Sequence, residues 1–366
     1  MRTRVSLVLM IACAATVLAA QGQPSAPAGT LLVLAKSDQT LSVVDPATLK
    51  VLGRASSGPD PHEVVASSDG RVAYISNYNG GINLITVIDL VAMKPLPPID
   101  LGALRAPHGL TFTGGKLWFT AEAAKAIGSY DPATSKVDWI LGTGQNRTHM
   151  IFVSADLSRI VTSNVSSATM TIIEKTAGGG RGGRGGPPPS MPDRGGAPPA
   201  EMPGRGAGPG GRGGPQMDWN ETVVPVGRGA EGFDVSPDGT QIWAANAQDG
   251  TVSIIDVASK KVTDTLAANV NGANRLKFTP DGKLVFVSTL SGPELAIIDA
   301  ATKREVKRLK IGRGAAGIEM QPDGARAYVA CTPDDNVAVI DLKTLEVTAR
   351  IEAGRQPDGL AWTTRR

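Results

Sequence analysis

Apolar and polar residues alternate with a period of two along most of this chain, in short runs broken by Gly, Pro, Asn and Asp. That pattern predicts short half-buried β-strands joined by tight turns. The stretch "GFDVSPDG", "TQIWAANAQDG", "TVSIIDVASK", "KVTDTLAA" reads as four strands, with Pro237-Asp238-Gly239 as a tight turn. The turn recurs at Ser68-Asp69-Gly70, Pro280-Asp281-Gly282 and Pro322-Asp323-Gly324. Helical periodicity is absent outside the first residues.

The four-strand unit repeats. "VSIIDVASKKV" returns as "LAIIDAATKREV" and "VAVIDLKTLEV", and earlier as "LSVVDPATLKV", "ITVIDLVAMKP" and "IGSYDPATSKV", with "MTIIEKTA" a degenerate copy. An acidic marker falls at Asp45, Asp89, Asp131, Glu174, Asp256, Asp299 and Asp341, at intervals of 44, 42, 43, 82, 43 and 42 residues. The doubled interval contains Ala177 to Pro215, which holds 16 Gly, 9 Pro and 5 Arg in 39 residues. Removing it restores the common interval. The reading is therefore seven repeats with one disordered Gly/Pro/Arg-rich insertion, 177–215, within the fourth. Four-stranded units of this length predict an all-β, seven-bladed β-propeller.

The ends predict how the ring closes. The first strands, "TLLVLAKSDQTLSVVD", match the second and third strands of a repeat, and the missing first strand stands at the far end as "PDGLAWTT". Leu360 to Thr363 should pair beside Leu31 to Ala35, so that no open sheet edge is left. The propeller spans 30–366. Ahead of it, Arg2 and Arg4 precede the apolar run Val5 to Ala20 and the small residues Ala19, Ala20 and Gly22. Residues 1–22 thus read as a signal peptide cleaved within 19–23, and the expected location is periplasmic or secreted. No later run is long and apolar enough for a membrane span. After cleavage Cys331 is the sole cysteine, so no internal disulfide supports the fold.

The run "IWAANAQDGTVSIIDVASKKVTDTL…RLKFTPDGKLVFVST" resembles the YVTN-type propeller repeat of YncE-like exported proteins, and the likeness covers nearly all of the chain apart from the insertion. The resemblance implies the fold. It does not choose a reaction, because related propellers include haem-bearing domains, quinoprotein subunits, lactonases and antibiotic lyases.

Candidate chemistry comes from aligning the start of each innermost strand: "DPHEVVAS", "APHGLTFT", "RTHMIFVS", "GAEGFDVS", "GANRLKFT", "GAAGIEMQ" and "QPDGLAWT". One column holds His62, His108, His149, Glu231, Asn274, Ala316 and Asp358, and it contains all 3 histidines of the protein. In ring order Asp358, His62, His108, His149 and Glu231 are neighbours at one mouth of the central channel. Three imidazoles with flanking carboxylates suit a divalent metal, zinc, copper or iron. The competing reading is a Pro-His loop motif copied by duplication. Three residues earlier, Arg105, Arg228, Arg313 and Arg355 ring the same face, where they suit an anionic ligand or stand as solvated loop charges. Asn274 belongs to the same candidate ligand surface.

Net charge is +3 with 19% charged residues, so composition gives no drive toward nucleic acid. The Arg-Gly stretch reads as a linker. The sequence lacks a CxxCH haem-attachment motif. The leading functional expectation is an exported monomer that binds a small anionic ligand or a protein partner on the channel face without catalysis. The alternatives are a metal-dependent lactonase- or lyase-like enzyme using the three histidines, and a periplasmic redox, haem or quinoprotein-associated propeller.

Overall fold

The computed structural model describes residues 29–78, 81–177 and 217–364. The expected signal peptide, 1–22, and residues 178–215 of the insertion lie outside the described residues. Among the described residues twenty-eight strands form seven four-stranded antiparallel sheets. Blade 1 contains β1 (Thr30–Ala35), β2 (Thr40–Val44) and β3 (Val51–Ser56); blade 2, β4 (Pro61–Ala66), β5 (Val72–Asn77), β6 (Leu84–Asp89) and β7 (Lys94–Asp100). Blade 3 is β8 (Pro107–Thr113), β9 (Lys116–Ala121), β10 (Ala126–Asp131) and β11 (Lys136–Gly142). Blade 4 is β12 (Thr148–Val153), β13 (Arg159–Asn164), β14 (Thr169–Ala177) and β15 (Met217–Pro225). Blade 5 is β16 (Ala230–Val235), β17 (Gln241–Asn246), β18 (Thr251–Asp256) and β19 (Lys261–Leu266). Blade 6 is β20 (Ala273–Phe278), β21 (Leu284–Thr289), β22 (Glu294–Asp299) and β23 (Arg304–Lys310). Blade 7 is β24 (Ala315–Met320), β25 (Arg326–Cys331), β26 (Asn336–Asp341) and β27 (Glu346–Ile351). The last strand, β28 (Pro357–Thr363), supplies the innermost strand of blade 1, with Leu31 opposite Trp362 and Val33 opposite Leu360. The all-β seven-bladed propeller and its shared closing blade stand as the sequence predicts.

The repeat marker has a local cause. Asp89, Asp131, Asp256, Asp299 and Asp341 end third strands and Asp45 directly follows one, and each carboxylate accepts a backbone N–H two or three residues on, fixing the turn to the fourth strand. Glu174 has a different task. The β14–β15 ladder continues past it to Ala177 opposite Met217, so this blade makes no turn there. Glu174 instead pairs with Arg159 and Lys260. The fourth strand of this blade is therefore long, running from Met217 to Pro225, and in it Trp219 packs on Trp139 and lies under Lys175.

The core lies between blades, where Trp243, Tyr328, Phe119 and Phe286 are fully buried. The innermost strands approach one another closely around the channel. A Cβ at Gly109, Gly232, Gly317 or Gly359 would sit 2.2–2.5 Å from a carbonyl oxygen of the next innermost strand. Glycine in this column is what lets the ring close so tightly. No helix among the described residues is long and apolar enough to cross a membrane.

Candidate metal and ligand site at the channel mouth

Every innermost strand is bulged at the same point. Pairing in blade 2 jumps from Pro61↔Asn77 to Val64↔Ile75, skipping His62 and Glu63. The same step occurs at His108, His149, Glu231, Asn274, Ala316 and Asp358. A bulge re-aims a side chain that a regular ladder would hold along the sheet normal. Here it turns one column toward the channel mouth. Hydroxyls of second strands lock the bulges: Thr120 Oγ1 accepts from Gly109 N–H and donates to His149 O at 2.8 Å. Ser163 Oγ does the same between Met150 N–H and Glu231 O.

The mouth brings His62, His108 and His149 together. Ring centroids of His108 and His149 are 3.8 Å apart, and those of His62 and His108 5.2 Å. His108 and His149 are 2% and 1% exposed. His149 Nδ1 makes a short hydrogen bond with Glu122 Oε1, while its Nε2 faces Glu231 Oε1 at 2.9 Å, outside hydrogen-bonding alignment. Tyr78 Oη donates to Glu122 Oε2 at 2.7 Å, and Arg147 Nη2 to Glu231 Oε1 at 3.2 Å. Burial opposes a charged His149, but the carboxylates of Glu231 and Glu122 outweigh it and raise its pKa. Burial likewise opposes Glu231 ionisation, yet His149 and Arg147 bring its pKa down to about 2. His108 differs. Burial, with His149 beside it, holds its pKa well below the usual value, and its buried Nδ1 has no hydrogen-bond partner. His108, Glu122 and His149 each present one ligand atom within 4.8 Å of the others.

A second group continues the arc. Lys36 Nζ donates to His62 Nε2 at 2.8 Å, leaving the His62 proton on Nδ1, which faces Asp358 Oδ2 at 3.5 Å. Asp60 Oδ1 lies 3.2 Å from His62 Nε2, and Asp358 Oδ2 3.3 Å from Lys36 Nζ. Burial, then Lys36 and Arg275, lower the His62 pKa to about 3. Burial pushes Asp358 up to about 6, although Lys36 and Arg275 pull the other way. Directly below the mouth, Arg275 of blade 6 forms a short ion pair with Glu63 of blade 2, so this pair spans the channel.

The arginine rim is otherwise engaged. Arg228, Arg313 and Arg355 bond through Nε to Asp249, Asp334 and Asp38, each at 2.7 Å, and each of those carboxylates also accepts the same arginine's backbone N–H. These clips tie the loop before the innermost strand to a hairpin of its own blade. Arg105 is exposed in the corresponding loop of blade 3. Asn274 keeps a buried Oδ1 without a hydrogen-bond partner, and its carbonyl oxygen accepts from Arg275 Nη1.

Lys36, Tyr78, Glu122, Arg147, Glu63 and Arg275 escaped the sequence reading. The first three share one register position, directly after the second strand, where blades 4 to 7 carry Val165, Ala247, Leu290 and Thr332. That column carries a signal for Lys36, Tyr78 and Glu122, and none for Arg147, Glu63 and Arg275.

No family model matches the chain, and no curated protein matches it at significant sequence similarity. Solved structures do match. A Bacteroides fragilis protein assigned provisionally as a 6-phosphogluconolactonase is 14% identical with a TM-score of 0.69, over 93% of this chain and 99% of its own. A protein of unknown function from Desulfotomaculum acetoxidans is 13% identical with a TM-score of 0.67, over 92% of this chain and all of its own. A dihydro-haem d1 dehydrogenase is 15% identical with a TM-score of 0.58, over 92% of this chain and 77% of its own. At such identities the shared property is the β-propeller fold itself.

Proposed function

We propose that this chain is an exported YVTN-type propeller whose channel mouth binds a divalent metal ion through His108, His149 and Glu122 and presents it to a small ligand. The observation that carries this reading is the charge and hydrogen-bond balance of the mouth. Five carboxylates, Asp60, Glu63, Glu122, Glu231 and Asp358, face three fixed cations, Lys36, Arg147 and Arg275. With neutral histidines that leaves two uncompensated negative charges, and since Asp60 alone of the five carboxylates is well exposed, at least one of them is buried, which is costly. The site answers this by favouring protonation, since the carboxylates of Glu231 and Glu122 raise the His149 pKa and burial raises that of Asp358. A divalent ion supplies the compensation without added protons, replacing the proton between Glu122 and His149. The orphaned Nδ1 of neutral His108 fits such an ion, since in the Nε2–H tautomer it offers a free lone pair. Tyr78 holds the second oxygen of Glu122, the kind of outer support that orients a ligating carboxylate. Such an ion would supply Lewis acidity, polarising a carbonyl or bound water.

The Lys36–His62–Asp358 chain favours a second, narrower reading, hydrolysis of an ester or lactone. It can pass a proton beside a polarised carbonyl. The test is elemental analysis of untagged protein purified without chelator and then incubated with zinc, cobalt or copper. One equivalent per chain is expected. Glu122→Gln and His108→Ala should lose it and His62→Ala should keep it. Metal content near zero in all four proteins would favour histidines that only close loops.

A further inference from the structure

Below the mouth lies a cavity of about 320 Å³ that none of the mouth histidines line. The cross-channel Arg275–Glu63 pair forms its roof. Its walls differ sharply. Phe112, Met150 and Phe152 of blades 3 and 4 supply one side, and Asp234, Lys277 and Glu319 of blades 5 to 7 the other.

The charged wall has one carboxylate too many. Glu63 is neutralised by Arg275. Asp234 accepts two backbone N–H groups, from Val235 and Phe278, and stands 3.9 Å from Lys277 Nζ. Glu319 has neither hydrogen-bond nor ion-pair partner among the described residues. It occupies the register position of Lys277 and Asp234 in the next blade, on the channel-facing side of β24. A surplus carboxylate across from two phenyl rings and a thioether, in a cavity of this size, matches a ligand with one positive charge and an apolar body. Carboxylate, ring faces and sulfur all attract an organic cation.

We infer that the lower channel is a second binding site, separate from the mouth, for a small organic ammonium compound of aryl or alkyl amine type, with Glu319 as its counter-ion. The burial of Glu319 agrees with this, since it pushes the pKa up to about 7, and Lys277 only partly offsets that. The site does not depend on the metal reading, because no ligand of the proposed ion touches it.

Calorimetric titration of the full chain with benzylamine, at about pH 8 where Glu319 is ionised and the amine is still a cation, tests the assignment. Benzylamine should bind one site per chain, and benzyl alcohol and benzoate should bind far more weakly. Glu319→Gln should weaken benzylamine by about tenfold or more, the effect of losing a buried counter-charge. Thr111→Trp, which fills the void from the opposite wall without changing charge, should abolish binding. Glu122→Gln at the mouth should leave it unchanged. The inference is overturned if wild-type protein does not bind millimolar benzylamine. It is equally overturned if benzyl alcohol binds as tightly, if folded Glu319→Gln or Thr111→Trp binds like wild type, or if Glu122→Gln removes binding.

Discussion

One arc of the channel mouth is dense in ionisable side chains and the other is sparse, although both come from the same repeat. In blades 1 to 4 the bulge column holds Asp358, His62, His108 and His149, and the position after the second strand holds Lys36, Tyr78 and Glu122 before lapsing to Val165. In blades 5 to 7 the same positions hold Glu231, Asn274 and Ala316, then Ala247, Leu290 and Thr332. The backbone differs too. Two residues before the bulge column every blade adopts a positive φ. Blades 5 to 7 use Gly229, Gly272 and Gly314, with φ of 74°, 70° and 57°. The arc uses Gln356, Asp60, Ala106 and Arg147, with φ of 54°, 44°, 56° and 55°. Side chains in that region cost free energy that glycine avoids. For Asp60 and Arg147 the reason is visible: Asp60 touches His62 and Lys36, and Arg147 touches Glu122 and Glu231. The arc half gives up stability to hold charges at the mouth.

The most severe way to break the contrast is to remove the strand that joins the halves. Truncation before Pro357 deletes β28 and Asp358 and leaves β1 as an open edge beside the channel. Calorimetry should show loss of the cooperative transition, not a modest shift. Next comes the glycine column common to both halves. Gly317→Ala places a Cβ 2.2 Å from Asp358 O, and should cost about 3 kcal/mol in chemical denaturation.

A smaller effect separates the halves by pH. The folded pKa of Glu319 is raised to about 7 from an ordinary 4.5 by burial, partly offset by Lys277 and reinforced by Asp234. The folded state therefore keeps a proton that the unfolded chain releases between those values. Stability should fall as pH rises across that window and stay level on either side, as far as this group contributes. The drop should be on the order of 1–2 kcal/mol, allowing for water in the channel. Glu319→Gln should flatten that part of the profile in urea denaturation, and an unchanged slope would sink the assignment. The gentlest change converts one half toward the other. Ala106→Gly should raise stability by about 0.5–1 kcal/mol, because it relieves a positive φ at a residue with no charge to hold. The converse Gly272→Ala should destabilise, since its Cβ would lie 1.9 Å from Ser291 Oγ.

The blade count, the closing strand and the bulge column were legible because duplication repeats them at a fixed interval, and register arithmetic maps an interval onto a ring. Contacts across the ring were not. Glu63 and Arg275 are 212 residues apart and meet because blades 2 and 6 face each other over the channel. A weaker hint existed, for both occupy a column where Gly109, Gly232, Gly317 and Gly359 allow close packing, and charged residues there are outliers. The arginine rim shows the opposite difficulty. Arg228 and Arg313 each have an aspartate 21 residues on, and that constant offset marks a structural clip instead of a free cation. Glu122 stands one strand away from the column that gathers the histidines, so the carboxylate that completes the buried trio was not legible from that column.

The central claim is that the mouth trio takes a metal. Anomalous diffraction from crystals of untagged protein soaked in zinc, with data collected on both sides of the zinc edge, tests it most directly. The account predicts a single strong peak within bonding distance of His108, His149 and Glu122, absent in Glu122→Gln crystals. A mouth without anomalous signal, or a peak held only by Asp60, His62 and Asp358, would contradict it.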